Sequence, residues 1–207
     1  MSSEQENLHQ QAFFESFRER ILAHLPLDGS EVTAKYRKEQ FTICLQKVSR
    51  GKFDNYSVIL ASYKKRPFRR EMWFEPIGHI DINITAGKTF LSTSPIPDEV
   101  SRDRLALPLQ ASEIAFTDES VGAKINALGV EENYRGKGYG LLLYALGKAI
   151  LRDMDFDSMS IIGDQTEGFY KKLGAIQTSD LANRQIAKLT FNDKEQNALN
   201  QLKIVRP

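Results

Sequence analysis

The residues best equipped for chemistry lie in one short run, Arg135-Gly136-Lys137-Gly138-Tyr139-Gly140. It falls between a stretch that reads as a strand, Lys124 to Val130, and one that reads as a helix, Tyr139 to Met154. In the latter, Leu142, Leu143, Leu146, Ala149 and Ile150 recur at helical spacing. Glycines let a backbone come close to a ligand and present its N–H groups. At a helix N-terminus those groups form an anion site that suits phosphate, and Arg135 and Lys137 add positive charge to it. A Walker A loop is excluded because Gly-Lys is not followed by Ser or Thr at the required spacing. The glycines are spaced Gly-x-Gly-x-Gly, not Gly-x-Gly-x-x-Gly as in a dinucleotide-binding turn. Taken alone, the run is equally compatible with an ordinary strand-to-helix connection.

Its neighbours narrow the reading. Val130 stands five positions before Arg135, at the end of Leu128-Gly129-Val130. After the next expected strand, Met159 to Ile162, comes Gly168-Phe169-Tyr170-Lys171-Lys172-Leu173-Gly174-Ala175. With both elements in this order, the sequence resembles the GNAT superfamily of acetyl-coenzyme A-dependent N-acyltransferases. Arg135, Gly138 and Gly140 match the family's pyrophosphate loop, and Phe169-Tyr170 with Leu173-Gly174 match its downstream helix. The resemblance covers residues 124–175 well and the upstream strands loosely. It implies that backbone N–H groups of Arg135, Gly136, Lys137, Gly138, Tyr139 and Gly140 hold the pyrophosphate of acetyl-coenzyme A, with Phe169 nearby. It also implies that the edge at Leu128, Gly129 and Val130 pairs with the pantetheine arm, as an added strand pairs with a sheet edge. The strand at 159–162 would splay away to admit the cofactor, and a backbone N–H near 128–130 would polarise the thioester carbonyl. Where the family often has Asn, six residues before the Phe of the pair, this chain has Gly163, so one side-chain contact to the cofactor is missing.

Acyl transfer to an amine requires a neutral amine, a stabilised oxyanion and a thiolate that can leave. Tyr170 is the candidate for the last, donating to the sulfur; the alternative is a packed helix aromatic with its hydroxyl at the surface. The base is less defined. Glu131 ends the motif strand, Asp164 and Glu167 flank the second helix, and Glu113 and Asp118 precede the strand. For each, a solvated charge or a helix cap is a competing role, and Glu167 sits where an acid favours a helix start anyway.

Those residues must be held by a larger scaffold. From Gln5 to Leu25, the apolar residues Leu8, Phe14, Phe17, Ile21, Leu22 and Leu25 predict an amphipathic helix, ended by Pro26 and Asp28-Gly29. Strands are predicted where Phe41, Ile43 and Leu45 alternate with polar residues, over Tyr56 to Tyr63, and where Ile80, Ile82 and Ile84 alternate with His79, Asp81 and Asn83. His79 faces either a site or solvent. Residues 89–121, with Pro95, Pro97 and Pro108, read as a long loop with one helical turn at 98–105. A strand from Ile186 to Phe191 closes the pattern, and residues 192–207 read as an extension with a short terminal helix. The expected fold is a single α+β domain over 1–207: a GNAT-like mixed, mostly antiparallel central sheet flanked by helices, with splayed strands at the cofactor site.

Composition sets the outer bounds. The 207 residues carry 28 Lys plus Arg against 27 Asp plus Glu, a net charge of +1, which argues against a global polyanion clamp. The single cysteine, Cys44, excludes an intrachain disulfide and reads as a small buried core residue. The three histidines, His9, His24 and His79, have no metal-ligand spacing, so no metal is expected. Neither a signal segment nor a membrane span is expected, and the cytoplasm is the expected compartment. The acceptor implied by the resemblance is a primary amine on a small molecule or a protein; the oligomeric state is not legible. The basic loop at 64–70, with Lys64, Lys65, Arg66, Arg69 and Arg70, reads as a solvated hairpin. The rival reading is a non-catalytic module that binds coenzyme A, or binds nucleic acid through that loop.

Overall fold

Alternating apolar and polar residues lay Phe41, Ile43 and Leu45, Val58 and Leu60, and Ile80 and Ile82 on one buried face of a sheet. The computed structural model describes residues 3–50, 53–65, 72–85, 90–92, 114–116, 122–162, 167–177 and 184–205. Its strands are β1 (Asp28–Tyr36), β2 (Glu39–Arg50), β3 (Phe53–Lys65), β4 (Met72–Thr85), β5 (Phe90–Ser92), β6 (Ile114–Phe116), β7 (Gly122–Val130), β8 (Ser158–Ile162), β9 (Ile176–Gln177), β10 (Arg184–Lys188) and β11 (Leu202–Ile204). The described helices are α1 (Ser3–Arg20), α2 (Tyr139–Asp153), α3 (Glu167–Lys172) and α4 (Asp193–Gln201). Nine strands form one sheet in the order β11-β1-β2-β3-β4-β7-β8-β10-β9. Its pairings are antiparallel except β7 with β8, which is parallel. This is the mostly antiparallel α+β architecture expected. Among the described residues, no helix is long and apolar enough to cross a membrane.

Helix α2 is buried along most of its length because its apolar residues surround it. A Cβ added to Gly147 would sit 2.7 Å from Ile80 Cδ1, so the helix axis lies close against β4. Helices α1 and α4 pack on α2. Lys148 of α2 donates to both carboxylate oxygens of Glu195 at 2.9 Å and to the Thr190 carbonyl. Glu195 also receives the Asn192 N–H, and the Asn192 side chain accepts from the Glu195 N–H, so the anion of the buried pair closes the capping box of α4.

Several expectations are corrected. Helix α1 stops at Arg20 and a 3₁₀ turn, Leu22–His24, follows; Leu25, before Pro26, is extended (φ −100°, ψ 100°) because a following proline disfavours the helical region. Phe14, Phe17, Ile21 and Leu25 are buried, whereas Leu8 is 67% exposed. Asp28-Gly29 does not merely end the helix but opens β1, which the sequence reading missed. Cys44 is half-buried on the face opposite Ile43 and donates from Sγ to the Gly29 carbonyl. The closing strand ends at Lys188, not Phe191, because the Gln10 amide both accepts from Phe191 N and donates to Phe191 O, replacing a ladder. β10 closes nothing: β9 lies outside it, and the chain continues through α4 to β11, which pairs β1 at the opposite edge. Within 89–121, Phe90–Ser92 and Ile114–Phe116 pair as a small antiparallel ladder, so that stretch is not loop throughout. The helical turn expected at 98–105 lies outside the described residues, as do Arg66 to Arg70 of the basic loop.

Candidate active site

The site begins where the described pairing of β7 with β8 ends. Among the described residues they pair at Lys124↔Ser160 and Ile125↔Ile161. β7 nevertheless runs on to Val130, held on its other edge by β4 as far as Gly78↔Val130. Over Asn126 to Val130, its β8-side edge therefore has no strand partner among the described residues. The register slips between Asp81↔Ala127 and Ile82↔Ile125, leaving Asn126 as the extra residue of a β-bulge, a device that bends a strand away from its neighbour. Asn126 Oδ1 is buried without a hydrogen-bond partner among the described residues. Leu128, Gly129 and Val130 lie at the end of β7, beyond its described pairing with β8.

The chain then turns into α2. Glu131 is half-buried; its N–H donates to the Ile77 carbonyl and its carbonyl accepts from Tyr134. After a 3₁₀ turn, Glu132–Tyr134, the exposed residues Arg135, Gly136 and Lys137 lead to Gly138. Arg135 folds back, donating Nε–H to the Val130 carbonyl at 3.1 Å. Gly138 has φ +90°, the left-handed region that favours glycine. A Cβ there would lie 2.9 Å from the Tyr36 hydroxyl and 3.0 Å from Arg37 Nη2. The first helical bond of α2 runs from Leu142 N–H to the Gly138 carbonyl, so the N–H groups of Tyr139, Gly140 and Leu141 precede it at the helix's positive end.

One support of this turn was not legible. Arg37, in the β1–β2 turn, donates Nη1–H to the Lys137 carbonyl at 2.9 Å, and its guanidinium lies over the Tyr36 ring. It therefore sets a third cation beside Arg135 and Lys137. No local pattern marks Arg37; only the pairing of distant segments brings it here. The Lys137 ammonium lies over the Tyr134 ring at 4.9 Å. Tyr139 is 2% exposed and donates its hydroxyl to Glu39 at 2.8 Å. Burial first, then Glu39, pushes its phenol pKa well up. Its side chain is thus committed to the core, and only its backbone N–H faces the turn.

Helix α3 completes this side. A side chain at Gly140 would lie 3.7 Å from both the Phe169 ring and Val130 Cγ2, so Phe169 and the end of β7 flank the start of α2. Tyr170 is 4% exposed, its ring 5.7 Å from that of Tyr144 and 5.2 Å from that of Phe169. It is a packed aromatic, not a surface residue. Of the expected bases, Asp164, Glu113 and Asp118 lie outside the described residues, as does Gly163.

The sheet face turned away from α2 is polar. It carries Ser57, His79, Asp81, Asn83 and Lys124, in register across β3, β4 and β7. Burial raises the Asp81 pKa, and the neighbouring His79 charge opposes that rise. Burial pulls the Lys124 ammonium down to about 8. Lys124 should accordingly be acylated by acetic anhydride with a midpoint near pH 8, whereas exposed lysines follow the ordinary value of about 10.4. Mass-spectrometric labelling across pH measures this, and an ordinary midpoint would contradict the burial. Lys64, the described start of the basic loop, pairs with Glu75 at 2.5 Å and lies over the Tyr134 ring. Among the described residues, no cluster of His, Cys, Asp and Glu forms a metal site.

No family model matches the sequence, and no curated protein does. Among solved structures, the chain is similar to that of AtaTR bound with AcCoA, at 15% identity and TM-score 0.41, over 65% of this chain and 70% of that one. It is also similar to a GNAT family N-acetyltransferase, YhbS from Escherichia coli in complex with CoA, at 13% identity and TM-score 0.37, over 69% of this chain and 62% of that one. A third is GCN5 of Tetrahymena, at 14% identity and TM-score 0.36, over 68% and 71% of the two chains. At these values, a function has to stand on this chain's own geometry.

Proposed function

We propose that this chain transfers an acetyl group from acetyl-coenzyme A to a primary amine of a small molecule or protein. The observation that carries the proposal is the bulged end of β7, unpaired on its β8 side among the described residues, beside a cationic glycine turn at the N-terminus of α2. A ligand suited to both must combine an extended amide chain with a polyanion. The edge at Asn126 to Val130 offers backbone N–H and C=O groups to a pantetheine arm. The turn offers N–H groups of Arg135 to Gly140, with Arg37, Arg135 and Lys137, to a pyrophosphate. Coenzyme A has both parts in one molecule.

In this reading, the thioester carbonyl lies by Leu128 to Val130, where a backbone N–H stabilises the charge that develops on its oxygen. The amine nitrogen attacks the carbonyl carbon, the oxyanion collapses, and the carbon–sulfur bond breaks. Tyr170 hydrogen-bonds or protonates the departing sulfur; its place against Phe169, which with Val130 flanks the start of α2, supports that role. Tyr170→Phe should lower kcat roughly 10- to 100-fold with little change in KM, because the lost contact matters chiefly in the transition state. An unchanged kcat would remove Tyr170 from the chemistry.

The test of function is thioester consumption with a panel of amines, read as coenzyme A release with acetylated product identified by mass. Binding of acetyl-coenzyme A without product from any amine would favour the non-catalytic alternative. Loss of nucleic-acid binding on removing Lys64, Lys65, Arg66, Arg69 and Arg70, in a protein that ignores acetyl-coenzyme A, would favour the nucleic-acid module.

A further inference from the structure

The glycine turn is gripped from one side by the tip of the β1–β2 hairpin. Tyr36 pairs with Glu39 across that hairpin, so Arg37 and Lys38 alone connect the two strands. Two-residue connections favour glycine, asparagine or aspartate, because a central residue takes positive φ. Here that residue is Arg37, at φ +58°. For a side chain with a Cβ this conformation is strained, and such strain persists where the surroundings hold it. Two contacts hold it. The guanidinium carbon lies 5.2 Å from the centre of the Tyr36 ring, which is buried and packed 5.6 Å from that of Tyr139. From this seat, Arg37 Nη1–H donates to the Lys137 carbonyl at 2.9 Å.

That bond settles which way one peptide faces. In a trans peptide the C=O and N–H point in opposite directions. With the Lys137 carbonyl turned toward Arg37, the Gly138 N–H is turned away from it, and no backbone carbonyl among the described residues accepts from that N–H. A charged donor on the carbonyl also polarises the peptide and strengthens its N–H as a donor. The other two cations of the turn are engaged differently. The Lys137 ammonium lies 3.8 Å from Glu39 and over the Tyr134 ring, and Arg135 Nε–H is tied to the Val130 carbonyl.

Resting on the acetyl-transfer reading above, we propose that Arg37 is a positioning residue for the acyl donor, which acts through the Lys137 carbonyl to aim and strengthen the Gly138 N–H that receives the pyrophosphate. The strained backbone at residue 37 is then the cost of a charged, planar donor at the hairpin tip. An asparagine there would relieve the strain, because it tolerates the left-handed region, but it would set neither a charge nor a guanidinium fork against Lys137.

The test is isothermal titration of the full chain and two variants with coenzyme A and with 3′-dephospho-coenzyme A, beside urea denaturation of each protein. Arg37→Asn should bind coenzyme A roughly 10- to 100-fold more weakly than the wild type, the range of one hydrogen bond from a charged group. The same fold loss should appear with 3′-dephospho-coenzyme A, since the pyrophosphate is common to both ligands. The urea midpoint of Arg37→Asn should equal or exceed that of the wild type, because the strain at residue 37 is relieved. Arg37→Lys keeps the charge without the fork and should recover less than half of the loss on a logarithmic scale. Wild-type affinity in Arg37→Asn would overturn the assignment. Recovery of more than half by Arg37→Lys would do so too, by making charge alone sufficient. A loss that vanishes with 3′-dephospho-coenzyme A would replace it with a direct contact to the 3′-phosphate. A urea midpoint below that of the wild type would reduce Arg37 to a structural tie. Each of these leaves acetyl transfer standing, whereas absence of coenzyme A binding by the wild type would overturn both readings.

Discussion

Gly138→Asp should abolish acetyl-coenzyme A binding, lowering affinity by at least about 100-fold, or roughly 2.7 kcal/mol. Two effects add. The first is steric: φ is +90°, and the new Cβ would press on the Tyr36 hydroxyl, whose ring is buried against Tyr139, and on Arg37 Nη2. Placing a side chain in the left-handed region costs about 1–2 kcal/mol by itself. The second is electrostatic, since a carboxylate would occupy the anion site and take up the Arg37 guanidinium. Gly138→Ala separates the two by keeping the strain without the charge, and its loss should fall in between. Gly136→Ala is the milder control: Gly136 has φ +75°, but an added Cβ there meets nothing within 4 Å. Isothermal titration of each variant, with circular dichroism to confirm folding, measures the series. Wild-type affinity in Gly138→Asp would remove the turn from the site.

The largest effect on stability should come from Lys148→Met. Its ammonium and the Glu195 carboxylate are 4% and 0% exposed, and each is buried for the other. Burial pulls the Lys148 pKa down and pushes the Glu195 pKa up, and in both groups the partner's charge opposes the shift. Removing the cation leaves a buried carboxylate that also caps α4, and breaking such a pair costs about 3–5 kcal/mol. That is a large share of the about 5–15 kcal/mol by which domains are stable. Replacing both partners, Lys148→Met with Glu195→Leu, should recover much of the loss, although the capping bond to the Asn192 N–H goes with Glu195. Urea denaturation gives the comparison, and a single variant as stable as the wild type would contradict a buried ionised pair.

What could be read in advance was local. The glycine turn, the strand before it and the helix after it are coded by spacing within a few residues, as are the alternations that place Ile43, Leu60 and Ile82 in the core. The splay is expected from the family resemblance, and the residues that would follow Ile162 beside β7 lie outside the described ones; the Asn126 bulge has no signature in the sequence, because a bulge is a mismatch between two strands. Arg37 illustrates the same limit: it sits in an exposed turn and acquires its place only when β1–β2 packs beside the glycine turn. Strand β1 was hidden by Asp28-Gly29, a strong stop signal that here opens a strand instead. Tyr139 belongs to the motif by position, yet its ring serves the core, since a helix's first turn must face inward as well as outward.

The central claim is that one molecule fills both the β7 edge and the glycine turn. Isothermal titration of the wild-type chain with acetyl-coenzyme A tests it most directly, with its fragments as comparison: 3′,5′-ADP for the phosphate end and pantetheine for the arm. The account expects saturable one-to-one binding of acetyl-coenzyme A, far tighter than either fragment, because each fragment engages only one half of the site. No heat of binding at about 1 mM acetyl-coenzyme A, where an affinity of about −4 kcal/mol would already register, would contradict it.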